Sequence, residues 1–580
     1  MDMYDRLGRN EVRGRILCAT LIALPILCAL QMMRTHWVAV PWWDEWLTPG
    51  ETLASYYRGT LTFADLWSQH NESRKFVPRL LYLALYVPCG WDVRYGMVLG
   101  FAWVCVGSAG LYWVLSQSVS RSIACGGFVL MNVLLFSPRQ YENFLYSLEG
   151  ENFTPAFALI FALGCNLRVK SFRTKAIINS FLALFSTYTF ANGMLVWLLA
   201  FPVQWKGAPA IESSAGRRFW RIAYSLAALV SIGAYFVGYQ RPEETPPFAT
   251  NISTLWDLLH YLLIWLGSLF VTPVPTTVGV CILGTFTCLV VMTSKHARQV
   301  ASWRVPYPWL ILGSYVLISG LVTAAGRVGF GLTAAPSVRY TVFTVFFYIA
   351  VLGLFCSIYQ DARRSIYKRP VMMGSAALLL VLWAFTLRYE IPLLAENTAA
   401  REHLQLVARW SLAIPANPDL RLLSPYRETL WRIRVLAAHD ALRPRLIDAR
   451  LAQGVTVPSA PTSKDAGYLD QVVFNSRDRL LAQGWAQIPG RDTAADCVVL
   501  GYRDESGSWN LFGVTETGGR RPDVAAALRI PGLMSAGFSR FFTIDKFPRG
   551  SVIFEARAID LKHKRLFPMS GAAIVARPRG

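Results

Sequence analysis

The stretch ILCATLIALPILCALQMM, residues 16–33, runs eighteen positions without a charge, and MDMYDRLGRNEVRGR (1–15) brings Arg13 and Arg15 to its start. A basic segment followed by an apolar one is the charge order of a secretory signal peptide. Signal-peptide cores are shorter, about 7–15 residues, and end in a small-x-small cleavage site. This run is longer and has no clean site of that kind, so it reads as an uncleaved signal-anchor helix with a cytoplasmic N-terminus.

The rest of the chain agrees with a membrane reading. Of 580 residues, 54% are hydrophobic and 16% charged, where soluble chains carry about 25% charge. Runs near the roughly 20 apolar residues that cross a bilayer recur at 95–117, 122–137, 153–167, 176–191, 192–205, 222–239, 274–294, 307–325, 341–359 and 371–388. With 16–33 they predict about eleven crossings. FANGM (190–194) divides one long stretch, and its Asn192 and Gly193 suit a tight turn or a broken helix. Residues 253–271 carry Asp257 and His260 and read as an interfacial or partly inserted helix.

The net charge of +21 is one signature of nucleic-acid binding, but its placement argues for topology. Arg121, Arg168 to Lys175, Lys206 to Arg221, Lys295 to Arg304 and Arg363 to Arg369 fall in loops on one side of the membrane once the N-terminus is inside, as the positive-inside rule requires. No nucleic-acid partner is therefore expected. The ten cysteines show no CxxC and no metal-type spacing, so neither a disulfide framework nor a zinc site is expected.

The opposite side then holds 34–94, 138–152, 240–273, 326–340 and everything after 389. Residues 391–455 read as a helical connector, with apolar residues at 3–4 spacing in YRETLWRIRVLAAHDALRPRLIDARLA (426–452). Residues 456–466 form a linker by composition. Residues 467–580 alternate apolar and polar between Gly, Pro and Asp turns, which predicts a β-sandwich of about six to eight strands. The expected fold is thus mainly α: a polytopic transmembrane helix bundle over 1–390, N-in and C-out, with an extracytoplasmic helical segment and a small β-sandwich.

Unusual polar residues gather on the outer side. VPWWDEWLTPG (40–50) places Asp44 and Glu45 among Trp42, Trp43 and Trp46. SQHNESRKFVPRLL (68–81) holds His70, Asn71, Glu72, Arg74, Lys75 and Arg79. SPRQYENFLYSLEGENF (137–153) holds Arg139, Glu142, Asn143, Glu149 and Glu151, and AAGRVGFGLTAAPSVRYT (324–341) holds Arg327, Arg339 and Tyr340. The planar fork of arginine makes paired, charge-assisted bonds to phosphate. A carboxylate at the membrane edge, with tryptophans limiting water, has its pKa raised and can take a proton from a hydroxyl. A base, a phosphate-holding cation and an apolar groove for a lipid tail suit transfer of a group from a lipid phosphate to a hydroxyl. If the group is a sugar, the base activates the acceptor while arginine offsets charge on the departing phosphate.

Plainer roles exist for each residue. Asp44 and Glu45 can cap a short interfacial helix beginning near Thr48, flanked by belt tryptophans. His70 to Arg74 can form an N-cap and a solvated helical salt-bridge face. Glu142 and Asn143 can cap the next element. Arg327 can bond helix-end carbonyls, and Arg339 can serve only as an anchor at the start of a helix. Trp485 and Trp509 can stack on sugars, or Trp485 can be core.

WWDEW with HNESRKFVPRLL resembles the DEW…HNEHR pattern of bacterial polytopic membrane glycosyltransferases within the glycosyltransferase C superfamily. RQYENFLYSLE is similar to that group's WENFLWGFQ segment, and SVRYT to its Ser-Arg-Tyr step. The likeness covers about residues 1–390. Ser73 stands where the pattern has its second His, and LEGEN departs from the Gln-containing version, so Glu142 carries over more directly than Glu149. The resemblance implies a polyprenyl-phosphate-sugar donor, no nucleotide sugar, an inverting displacement, and Asp44 as base with Glu45 beside it. His70, Glu72, Arg74, Glu142, Asn143, Arg327, Arg339 and Tyr340 are the substrate-binding set. Members differ in needing a divalent metal (Mg, Mn or Ca), so that question stays open. The acceptor would be a glycan, glycolipid or protein at the outer face of a bacterial inner membrane.

A transporter or flippase for a lipid-linked sugar or anionic solute is the alternative. Transporters usually carry internal repeats and ionisable residues near the midplane, whereas here the charges line one rim and no repeat is visible. A scaffold whose β-sandwich binds glycan would need one anchor, not about eleven helices.

Overall fold

A computed structural model describes residues 2–205, 211–242, 245–247, 255–299, 303–361, 368–447, 466–476, 479–503, 509–543, 551–571 and 573–576. The expected linker at 456–466, save Ala466, and the loop cations Lys206, Arg363 and Arg364 lie outside these residues. The chain forms two compact units. One comprises 1–37, 62–85 and 94–396; the other comprises 38–61, 86–93 and 397–580.

The first unit is helical. Among the described residues, six helices are long and apolar enough to cross a membrane: Gly14–His36, Val93–Ser116, Ser214–Phe236, Pro275–Arg298, Tyr307–Phe330 and Val338–Gln360. A seventh arises if Arg121–Leu135 and Pro138–Leu145, bent by 44°, count as one span. The bend has a local cause. The Ser137 hydroxyl caps the Arg139 amide at 3.3 Å, and Pro138 opens the next turn with no N–H to continue the ladder. Val338–Gln360 is the most enclosed of the six. Its Gly353 admits the Trp309 ring, which a Cβ would meet at 2.0 Å.

Several expected spans take other forms. Thr154–Arg168 and Phe172–Thr187 are helices of 15 and 16 residues. The segment 192–205 is not a helical crossing. FANGM forms the 3₁₀ turn Ala191–Met194, the helix Leu195–Leu199 follows, and the chain then continues to 205 without regular secondary structure. That irregular leg is held by side chains of Thr154–Arg168 and Phe172–Thr187. Asn179 Nδ2 bonds the Ala200 carbonyl at 2.7 Å, Asn166 Nδ2 that of Phe201 at 3.0 Å, and Lys175 Nζ that of Val203 at 2.7 Å. Non-helical backbone within an apolar bundle requires such internal partners. Pro202 explains why the helix does not resume.

Two apolar helices, Phe76–Cys89 and Leu255–Gly267, are shorter than a full span; the second lies within 253–271, where a helix short of a full span was expected. The expected span at 371–388 lies within one 43-residue helix, Lys368–Trp410. HNES is a hairpin, not a helical step. Strand β1 (Gln69–His70) pairs antiparallel with β2 (Ser73–Arg74), and Asn71 takes φ 48° in the turn, a conformation Asn tolerates.

The second unit contains WWDEW. Residues 43–46 form a 3₁₀ turn, followed by the helix Gly50–Tyr57. Trp46 is fully buried edge-on against Trp91, ring centroids 5.1 Å apart. Trp91 in turn exchanges backbone hydrogen bonds with Ala441 and Arg443. The second unit therefore joins 38–61 and 86–93 to the residues from 397 onward, so the division does not fall at the expected residue 390 alone.

Eight described strands complete this unit: β3 (Gly467–Ser476), β4 (Arg479–Ala486), β5 (Cys497–Arg503), β6 (Trp509–Thr515), β7 (Gly537–Thr543), β8 (Ser551–Asp560), β9 (Arg565–Pro568) and β10 (Ala573–Ala576). They form a three-stranded sheet, β3-β4-β7, and a five-stranded sheet, β10-β8-β5-β6 with β9 on β8, all antiparallel. Leu480, Phe542, Val498, Leu500 and Phe554 fill the core that the sheets share. The alternate residues Cys497 and Val499 pack on Val407, Trp410 and Ile414. Strand β5 is thus covered on both faces, which is why its sequence, CVVLG, does not alternate.

Candidate functional site

In the first unit, the β1–β2 hairpin is fastened by Arg74. Its guanidinium donates to the carbonyls of Tyr235 (2.5 Å), Trp67 (2.9 Å) and Val237. The Tyr235 hydroxyl returns a bond to the Glu72 carbonyl at 2.6 Å. Arg74, expected to bind substrate, is therefore engaged in holding the turn. His70 is 3% exposed. Burial, with Lys75 and Arg79 nearby, pushes its imidazole well below the usual range and keeps it neutral.

What the hairpin presents is Glu72, whose carboxylate pairs with Arg327 at 2.5 Å, each side chain about one-third exposed (37% and 30%). Arg327, Arg339 and Tyr340 all act electrostatically on the buried Tyr261 hydroxyl. Arg339 is exposed and acts in turn on Glu149, as do Lys75, Glu142 and Glu151. Burial is the largest influence on Glu149 and raises its pKa to about 7, with Arg339 and Lys75 opposing it. Glu149 accepts a bond from Asn152. Glu151 is bound by Lys75 and by the Tyr82 hydroxyl at 3.0 Å. Glu142, half-buried, sits in the field of both Glu149 and Glu390. Asn143 is a brace: its amide donates to Gln140 at 2.6 Å and Thr341 at 3.1 Å.

The structure therefore brings Glu72, Glu142, Arg327, Arg339 and Tyr340 into one electrostatic neighbourhood, and adds Glu149. Tyr261, Tyr82 and Glu390 were missed in the sequence. The signal for Glu390 was present, as an acid inside the apolar run LRYEIPLL (387–394); it pairs with Arg139, which also bonds the carbonyls of Ser268 and Pro336. Arginines beside a carboxylate that titrates near neutrality can hold an anion and move a proton.

The second unit holds the acidic pair. Glu45 is 1% exposed, and its carboxylate accepts from the Trp42 amide at 2.8 Å; this capping bond is the job the geometry gives it. Asp44 is half-buried, and its Oδ1 accepts from the Tyr426 hydroxyl at 2.6 Å. The tryptophans divide. Trp46 is core and bonds the Pro41 carbonyl at 2.8 Å, Trp43 is exposed, and Trp42 bonds the Leu422 carbonyl at 3.3 Å beneath the Arg401 guanidinium. In the sheets, Trp485 packs on Val524 and Leu533, and Arg557 covers the Trp509 ring at 3.6 Å.

No group of three or more His, Cys, Asp or Glu residues placed to hold a metal ion occurs among the described residues. No protein-family model, no curated protein and no solved structure matches this chain.

Proposed function

We propose that this protein is an inverting membrane glycosyltransferase. It moves a sugar from a polyprenyl-phosphate donor to a hydroxyl of a cell-envelope glycan or glycolipid, on the outer face of a bacterial inner membrane. In this reading the chain makes eleven passes, counting the return leg 195–205, with the N-terminus inside and the second unit outside. The observation that carries it is that Arg327, Arg339 and Tyr340 act electrostatically on Tyr261, and Arg339 in turn on Glu149, at the loops of an apolar helical unit. Those cations suit a lipid phosphate, and the lipid tail suits the surrounding apolar helices.

The acceptor oxygen attacks the anomeric carbon as its bond to the phosphate oxygen breaks. The proton goes to a carboxylate, and the departing phosphate keeps the electron pair, offset by arginine. Two carboxylates compete for the proton. Asp44 is the one the motif resemblance implies. Glu149 is the one whose raised pKa matches a base at neutral pH.

Transfer from a radiolabelled polyprenyl-phosphate sugar to isolated envelope glycan, catalysed by protein in nanodiscs, separates them. Asp44→Asn is expected to lower the rate by at least about 10²-fold, the lower end of what a general base contributes, with folding intact. Full activity in that variant, with loss in Glu149→Gln, transfers the role to Glu149. Arg339→Ala is expected to raise KM for the donor.

A further inference from the structure

The loop 415–430 and strands β5 and β6 enclose a cavity of about 790 Å³, within the size range of small-molecule sites, about 300–1,000 Å³. Among the described residues its charged lining is of one sign: Arg421 and Arg427 line it, and no carboxylate does. Both arginines are exposed, set on a loop shaped by Pro415, Pro418 and Pro425. Asn417 also lines the cavity and is 4% exposed. Its Oδ1 accepts from the Asp419 amide at 3.0 Å, while its Nδ2 is buried with no hydrogen-bond partner among the described residues. A buried donor left unpaired is destabilising, so that amide is a place for a ligand oxygen. Tyr502 and Leu511, with the largely buried Phe512 behind them, supply apolar wall. Tyr426 lines the same cavity, and its hydroxyl is the one bonded to Asp44.

We propose that this cavity binds an acidic saccharide, a glycan segment bearing uronate carboxylates, as the acceptor. The guanidiniums take the carboxylates, Asn417 Nδ2 donates to a ring or hydroxyl oxygen, and the aromatic wall receives the sugar face. Its being the acceptor rests on the glycosyltransferase reading; the binding itself does not. In that role Tyr426 couples the filled cavity to Asp44, so a hydroxyl displacing the phenol would meet the carboxylate directly.

The test is calorimetric titration of the full-length protein in nanodiscs with trigalacturonic acid, maltotriose and inorganic phosphate, with no donor present. Trigalacturonic acid is expected to bind and maltotriose not to. Arg421→Ala with Arg427→Ala should weaken binding at least tenfold, and Asn417→Leu severalfold. Both arginines are exposed, so the double variant should fold, with circular dichroism as the check. Equal binding of the two trisaccharides, no binding of either, phosphate competing as well as the uronate, or an unchanged double variant would each overturn the proposal. Binding without any sugar transfer would sustain the acidic-saccharide site while sinking the enzyme reading.

Discussion

Glu149 shows how burial, not residue type, sets chemistry. Its carboxyl is raised to about 7 chiefly because it is withdrawn from water. A free glutamate ionises near 4.3, so the unfolded chain ionises first as pH rises. Native stability therefore declines between those two values and is level above them. Glu149→Gln, neutral throughout, should match wild type at pH 4 and melt higher than wild type at pH 8, measured by thermal unfolding in detergent. A lower melting temperature at pH 8 would mean that the charged form is stabilised by Arg339 and Lys75. At this scale the sequence was half legible. WWDEW announced its acidic pair, but which acid caps and which faces Tyr426 depends on a partner 382 residues away. Arg74 and Asn143 looked like ligands because a polar residue in an outer loop reads the same whether it meets substrate or a carbonyl.

Among elements, the turn Glu149–Phe153 depends on close backbone contact. Gly150 meets Gly100 of Val93–Ser116, and a Cβ on Gly150 would lie 2.8 Å from the Gly100 Cα. Gly150→Ala must push the turn away and displace both Glu149 and Glu151. We expect a loss of about 1–3 kcal/mol, typical of overpacking, together with reduced transfer. Gly126→Ala, with nothing within 4 Å, should be neutral in both measurements. Long apolar helices stand where they were expected at 16–33, 95–117, 222–239, 274–294, 307–325 and 341–359, where length alone decides. The reading failed at 192–205, because apolar composition does not distinguish a helix from an irregular leg held by Asn166, Asn179 and Lys175. It failed again at HNES, where the i to i+4 charges hid a two-residue turn.

For the whole molecule, the division into two units was the least legible feature. The pieces 38–61 and 86–93 join residues beyond 397 through pairings such as Trp91 with Ala441 and Arg443, and no local pattern announces a partner that distant. The tail's alternation did predict its antiparallel sheets, since period two is a local signal. Orientation has a direct check in Cys89, which is exposed in the second unit, whereas Cys497 is buried there. With the second unit outside, a membrane-impermeant maleimide should label intact spheroplasts of the wild type but not of Cys89→Ser. Labelling only after lysis would place that unit inside. The central claim is covalent transfer, and its most direct measurement follows a radiolabelled polyprenyl-phosphate sugar on proteoliposomes of the wild-type protein. The account predicts that label moves into a water-soluble or glycolipid product with the opposite anomeric configuration. Label that crosses the bilayer still attached to its lipid, with no product formed, would contradict it and identify a transporter instead.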